Sequence, residues 1–141
     1  VLGHKNARGQ QLAEKESILL AQDEGKYGAS INRWQAFMNK LKPRLEDANV
    51  KEMFFDAYYN YVFSMYKYSQ DPKVKATPKG KGWLARSADF ILRLESAKNP
   101  SMPEQASEGW QLLGPRFIEL MTAEEPLRKQ FEELKSKQKQ K

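Results

Sequence analysis

The stretch from Gly25 to Pro43 constrains the fold more than any other part of the chain. Tyr27, Ile31, Trp34, Met38 and Leu41 fall at i, i+4, i+7, i+11 and i+14, which lines them along one side of a helix of about four turns. Gly25 breaks the chain before that helix, and Pro43 opposes its continuation beyond Leu41. A helix with so wide an apolar stripe needs a partner, and other segments carry matching stripes. The pattern predicts helices stacked on helices, an architecture that more often holds other molecules than converts them.

A first helix is expected over Ala7 to Asp23, with Leu12, Ile18, Leu19 and Ala21 as its apolar residues. A polar connection over 42–49 leads to a third helix, Val50 to Ser69, the most apolar segment of the chain. Phe54, Tyr58, Tyr61, Met65 and Tyr68 form one of its stripes, and Phe55, Tyr59, Val62 and Tyr66 an adjacent one. Residues 70–82 read as a basic loop, because Asp71-Pro72, Thr77-Pro78, Gly80 and Gly82 break regular structure. Trp83, Ser87, Phe90, Ile91 and Leu94 predict a fourth helix ending near Ala97. Ser101, Pro103 and Glu104 suit the start of a fifth, with Trp110, Leu113, Phe117 and Leu120 or Met121 on one face and a kink at Gly114-Pro115. Thr122 to Glu125 reads as a capping box for a sixth helix, faced by Leu127, Phe131 and Leu134.

The fold class that follows is all-α: six helices as three stacked antiparallel hairpins, over about 7–41, 50–97 and 103–135. An irregular six-helix bundle is the alternative. A chain of 141 residues can bury one core without disulfide or metal staples, so residues 7–135 are expected as one domain, with a flexible segment 1–6 and a fraying tail 136–141. The mean hydropathy of -0.80 suggests thin, elongated packing rather than a thick globule.

Taken in pairs, the helices resemble the tetratricopeptide repeat (TPR), a helix-turn-helix unit of about 34 residues. Gly25, Tyr27, Ile31 and Trp34, followed by Met38, match that family's turn glycine and second-helix apolar positions. Trp110, Leu113, Gly114 and Phe117 match its first-helix pattern. Ser30 replaces the usual small alanine, Pro43 lies one place late, and Pro126 stands where a second-helix alanine belongs. The resemblance implies a mediator of protein association, offering a groove or an apolar end face to a protein partner or to a subunit of a larger assembly. The third helix has more large side chains than one core needs, so Tyr59, Tyr66 and Tyr68 are its candidate partner-facing residues.

Catalytic chemistry finds little footing. The chain has no cysteine, and its one histidine, His4, stands near the terminus, so thiolate chemistry and Cys/His metal sites have no ligands. Ser17, Ser64, Ser87 and Ser107 have no histidine to activate them. Lys79-Gly80-Lys81-Gly82 has the composition of a phosphate loop without its spacing or its preceding strand. The expectation is a non-catalytic chain without cofactor. No apolar run approaches the roughly 18 residues of a membrane span, so a soluble, cytoplasmic setting is the slight preference.

A net charge of +6 and a pI near 9.4 raise nucleic acid or another acidic surface as an alternative partner. The surplus sits in Lys73, Lys75, Lys79 and Lys81 and in the tail lysines Lys135, Lys137, Lys139 and Lys141. Aromatics are not interleaved among these lysines, as a platform for single strands would require.

Overall fold

The computed structural model describes residues 2–139, with side chains from residue 9 onward; expectations for Val1, the side chain of His4, Gln140 and Lys141 lie outside that range. The described chain is all-α. Its helices are α1 (Leu2–Asp23), α2 (Tyr27–Leu41), α3 (Ala48–Ser69), α4 (Pro72–Lys75), α5 (Pro78–Ser96), α6 (Glu108–Ala123) and α7 (Glu125–Lys139), with a 3-10 turn over Lys42–Arg44. Among the described residues the only β-type pairing is an isolated bridge between Lys98 and Ala106.

The end of α1 and both ends of α2 follow the expectation. Gly25 adopts φ +81°, the left-handed region open to glycine. Its N–H bonds the Gln22 carbonyl at 2.9 Å, while Lys26 N–H bonds the Ala21 carbonyl at 3.0 Å. That pair of bonds closes α1 and satisfies two of its terminal carbonyls. α1 begins at Leu2 rather than Ala7, so it takes in residues expected as a flexible segment, and α7 continues through Lys139 into the expected tail.

The starts of α4, α5, α6 and α7 also differ from the sequence reading. The loop expected over 70–82 is two helices. Asp71 caps α4 by accepting a hydrogen bond from Lys73 N–H at 2.9 Å, and Pro72 and Pro78 each occupy the first turn of a helix. Proline there removes an N–H that has no partner in any case, so these prolines start helices rather than end them. α6 starts at Glu108 instead of near Pro103, capped by Ser107 Oγ, which accepts from Trp110 N–H at 3.2 Å. Ser101 is held instead by Asn99, whose Oδ1 accepts the Ser101 N–H at 2.9 Å. Thr122 does not cap α7, because its hydroxyl donates to the Ile118 carbonyl at 2.8 Å, inside α6.

The chain forms two compact units, divided within α3 between Ser64 and Met65. In the first, Gln22, Ser17 and Glu14 of α1 meet Trp34, Arg33 and Lys40 of α2 in that order, so the two helices are antiparallel. Lys15 and Gln22 meet Asp56 and Asn60 of α3, so α1 and α3 run in the same direction. Ile18, Ile31, Trp34, Phe37, Leu41, Val50, Met53, Ala57, Tyr61 and Val62 form its core.

A hydrogen-bonded hub lies inside that core. Gln22 Oε1 accepts from Trp34 Nε1–H at 2.9 Å and from the Ser64 hydroxyl at 2.8 Å, while Gln22 Nε2–H donates to Asn60 Oδ1 at 3.0 Å. Asn60 Nδ2–H in turn donates to the Asp56 carbonyl at 2.8 Å. All four side chains are buried, so each bond replaces water that the interior excludes.

In the second unit α7 packs chiefly against α5, and α6 adjoins both. α5 and α7 each begin near the last turns of α3, through Tyr68 with Trp83 and Tyr66 with Glu124. Lys135 and Glu95 join them at 2.7 Å near their other ends, so the two helices run parallel. α4 folds tightly onto α5 at Gly80, where an added Cβ would lie 2.5 Å from the Val74 carbonyl oxygen.

Candidate interaction surfaces

The two prominent surfaces are built from aromatic side chains only partly taken up by the cores. On α3, Phe55, Tyr59 and Phe63 recur at i, i+4 and i+8, and each is half-buried. Tyr59 stacks on Phe63 with ring centroids 6.3 Å apart, and Tyr27 of α2 meets Phe63 edge-on at the same distance. Phe54, at 5.4 Å from Phe55, and Tyr58 extend the half-buried aromatic area around the helix. The core takes the opposite side through Met53, Ala57, Asn60, Tyr61 and Ser64, and Val62, three residues after Tyr59, is buried as well, so the ridge is a half-buried strip along the margin of the core.

The three tyrosines expected to face a partner therefore have different places. Tyr59 lies on the ridge. Tyr66 does not face outward: it is 1% exposed, and its hydroxyl donates to Glu124 Oε2 at 2.9 Å while Lys67 Nζ bonds Glu124 Oε1 at 3.2 Å. Burial, followed by the hydrogen bond to Glu124 and that carboxylate's charge, holds the Tyr66 hydroxyl well above the ordinary tyrosine range. Tyr66 secures α3 to the start of α7 and has no ring face to offer. Tyr68 is half-buried with its ring edge-on to Trp83 at 6.0 Å.

Trp83 begins the second surface, along α5. The core-facing residues of that helix are Gly80, Ser87, Ala88, Ile91 and Leu92. Trp83 and Phe90, expected on the core stripe, flank this face and are half-buried. The Arg86 guanidinium lies 5.6 Å from the Trp83 ring centroid and 5.8 Å from that of Phe90, and Arg93 lies 5.4 Å from Phe90. Arg93 also bonds Asp89 at 2.8 Å. The cations that lie against these rings are arginines of α5, not the lysines singled out in the sequence.

Those lysines sit on helices instead of a loop: Lys73 and Lys75 on α4, Lys79 and Lys81 in the first turns of α5, all exposed. In the tail, Lys135 pairs with Glu95, Lys137 pairs with Glu133 at 3.3 Å, and Lys139 ends α7. Cations at a helix C-terminus meet the negative end of its dipole. Glu125, in the first turn of α7, has its carboxyl held below the usual range by a hydrogen bond from Lys129 and then by the charges of Lys129 and Arg128.

The residues that carry the repeat resemblance are structural. Ile31 and Trp34 are buried in the first unit, with Tyr27 half-buried beside them, and Leu113, Gly114 and Phe117 are buried in the second. The half-buried Trp110 indole lies over Gly114, where a Cβ would come within 3.0 Å of Trp110 Cε2. Leu12 and Leu20 of α1, Met102 between α5 and α6, and Leu112, Pro115 and Ile118 of α6 are apolar side chains more exposed than the rings of either surface.

Among the described residues no three of His, Cys, Asp and Glu gather where a metal ion could be held, and no helix is long and apolar enough to cross a membrane. No family model matches the chain, and neither a curated protein nor a solved structure matches it significantly.

Proposed function

We propose that this chain is a non-catalytic interaction module of TPR-like architecture, which binds a partner protein or a subunit of a larger assembly through the aromatic ridge of α3. The ridge is the observation that carries the reading: Phe55, Tyr59 and Phe63, with Tyr27 beside them, present ring area and hydroxyls at the boundary of the core. Such rings bury much surface at little entropic cost, which is why interface centres are rich in them. The architecture is supported by alternate helices running in the same direction, α1 with α3 and α5 with α7, as the corresponding helices of successive hairpins would.

The test is affinity capture with the whole chain and with a Phe55→Ser, Tyr59→Ser variant whose circular dichroism matches that of the parent. A discrete protein retained by the parent at raised salt and after nuclease, and lost by the variant, is the expected result. Equal retention by both would exclude the ridge as the binding surface.

A further inference from the structure

A second surface carries an inference independent of the protein-partner reading. We propose that the outer face of α5 binds single-stranded nucleic acid, with Lys79, Trp83, Arg86, Phe90 and Arg93 as the contact residues. These five fall at i, i+4, i+7, i+11 and i+14, on one side of a single helix, and alternate cation, ring, cation, ring, cation. The distances of Arg86 from both rings, and of Arg93 from Phe90, show that the last four form a continuous strip. At about 1.5 Å per residue the face is about 21 Å long, with the two rings about 10 Å apart along the axis. That is the length of a short run of nucleotides.

Charge favours this occupant. The second unit has five more basic than acidic residues, and the first only one more. Lys73, Lys75, Lys79 and Lys81 form no ion pair with the described residues, and Lys73 and Lys75 of α4 continue the basic character beyond the start of α5. The nearby acids are engaged: Asp71 caps α4, Glu95 bonds Lys135, and Asp89 bonds Arg93. Asp89 is the carboxylate that a phosphate would displace.

Cations alone would suit any polyanion, but partly accessible rings between them suit one whose charges alternate with flat apolar groups. Bases stack on aromatic rings and on guanidinium planes, while lysine and arginine neutralise the phosphates. A duplex keeps its bases stacked inside and would leave Trp83 and Phe90 unused.

The test is fluorescence anisotropy of the whole chain with a labelled 12-nucleotide single strand, across a salt series. Competitors are inorganic polyphosphate, a poly-aspartate peptide and the corresponding duplex. The single strand should bind at least tenfold more tightly than each competitor. Arg86→Gln, Arg93→Gln should weaken it by more than tenfold and lower the slope of log K against log salt by about 1.4, since two fewer phosphates are neutralised. Phe90→Leu, which keeps the charge and an apolar side chain, should weaken binding without changing the slope. Unchanged circular dichroism establishes that each variant is folded. Lys137→Gln, Lys139→Gln should leave affinity within twofold. Absence of binding, equal binding of polyphosphate or poly-aspartate, or loss only in the tail variant would overturn the proposal.

Discussion

Replacing Gln22 with leucine removes the hub of the first unit while nearly preserving side-chain volume. The substitution takes the acceptor from Trp34 Nε1–H and from the Ser64 hydroxyl, and the donor from Asn60 Oδ1. Ser64 can turn its hydroxyl to the backbone carbonyl one helical turn back, as mid-helix serines do. The Trp34 N–H and the Asn60 oxygen have no such recourse inside the core, and an orphaned buried group costs about 1–3 kcal/mol. The added leucine methyls return about 1–2 kcal/mol. The net loss is about 0–5 kcal/mol, centred near 2.5, which for a urea m-value near 2 kcal/mol/M lowers the midpoint by about 1 M and at most about 2.5 M. Urea unfolding followed by far-ultraviolet circular dichroism measures that shift. Trp34→Phe removes the donor, so the double variant should lose less than the sum of the singles, with a coupling of about 1 kcal/mol. A Gln22→Leu midpoint at or above the parent's, or additivity of the two substitutions, would refute the reasoning.

Other substitutions separate the remaining contacts. Trp34→Ala should destabilise by about 3–5 kcal/mol in the same assay, because Trp34 is 0% exposed, and the half-buried Trp110→Ala by less. Gly80→Ala sets a methyl against the Val74 carbonyl and should cost about 1–3 kcal/mol; hydrogen exchange should show the loss first in α4. For Tyr66, the folded state favours the neutral hydroxyl, so its stabilisation is complete below the unfolded pKa near 10 and declines as pH rises above it. The thermal midpoint of the parent should therefore fall more steeply than that of Tyr66→Phe between about pH 9 and 11; parallel curves would contradict the burial of the Tyr66 hydroxyl beside Glu124.

How much of this is legible in the sequence depends on which force sets each feature. α2 is legible to the residue because Gly25 and Pro43 bracket an unbroken apolar stripe, so backbone chemistry and burial agree there. The 70–82 segment is not, because its prolines have the character of breakers, although Asp71 and Thr77 stand where helix N-caps stand. Ser101 offers as good a cap as Ser107, and the choice falls to Asn99, whose side chain turns the intervening chain. The polar hub has no apolar signature: Gln22, Asn60 and Ser64 look like surface residues until three helices converge on them. The α3 rings are visibly too numerous for one core, but periodicity does not separate the ridge residue Tyr59 from the buried Tyr66. On α5 the aromatic spacing phases the stripe on Trp83 and Phe90, whereas burial follows Ser87, Ala88 and Ile91; Arg86 between the rings and Arg93 after them are the sequence signal of an outer face.

The ridge and the α5 strip belong to different units, so partner protein and nucleic acid would not compete for the same side chains. The ridge is the central claim, and site-specific photo-crosslinking tests it most directly. A benzophenone side chain is placed at Tyr59 of the whole chain, with Gln35, on the exposed side of α2, as the comparison site. A discrete protein adduct from position 59 that is absent from position 35 is the predicted result. No adduct at position 59, or the same adduct from both positions, would contradict the account.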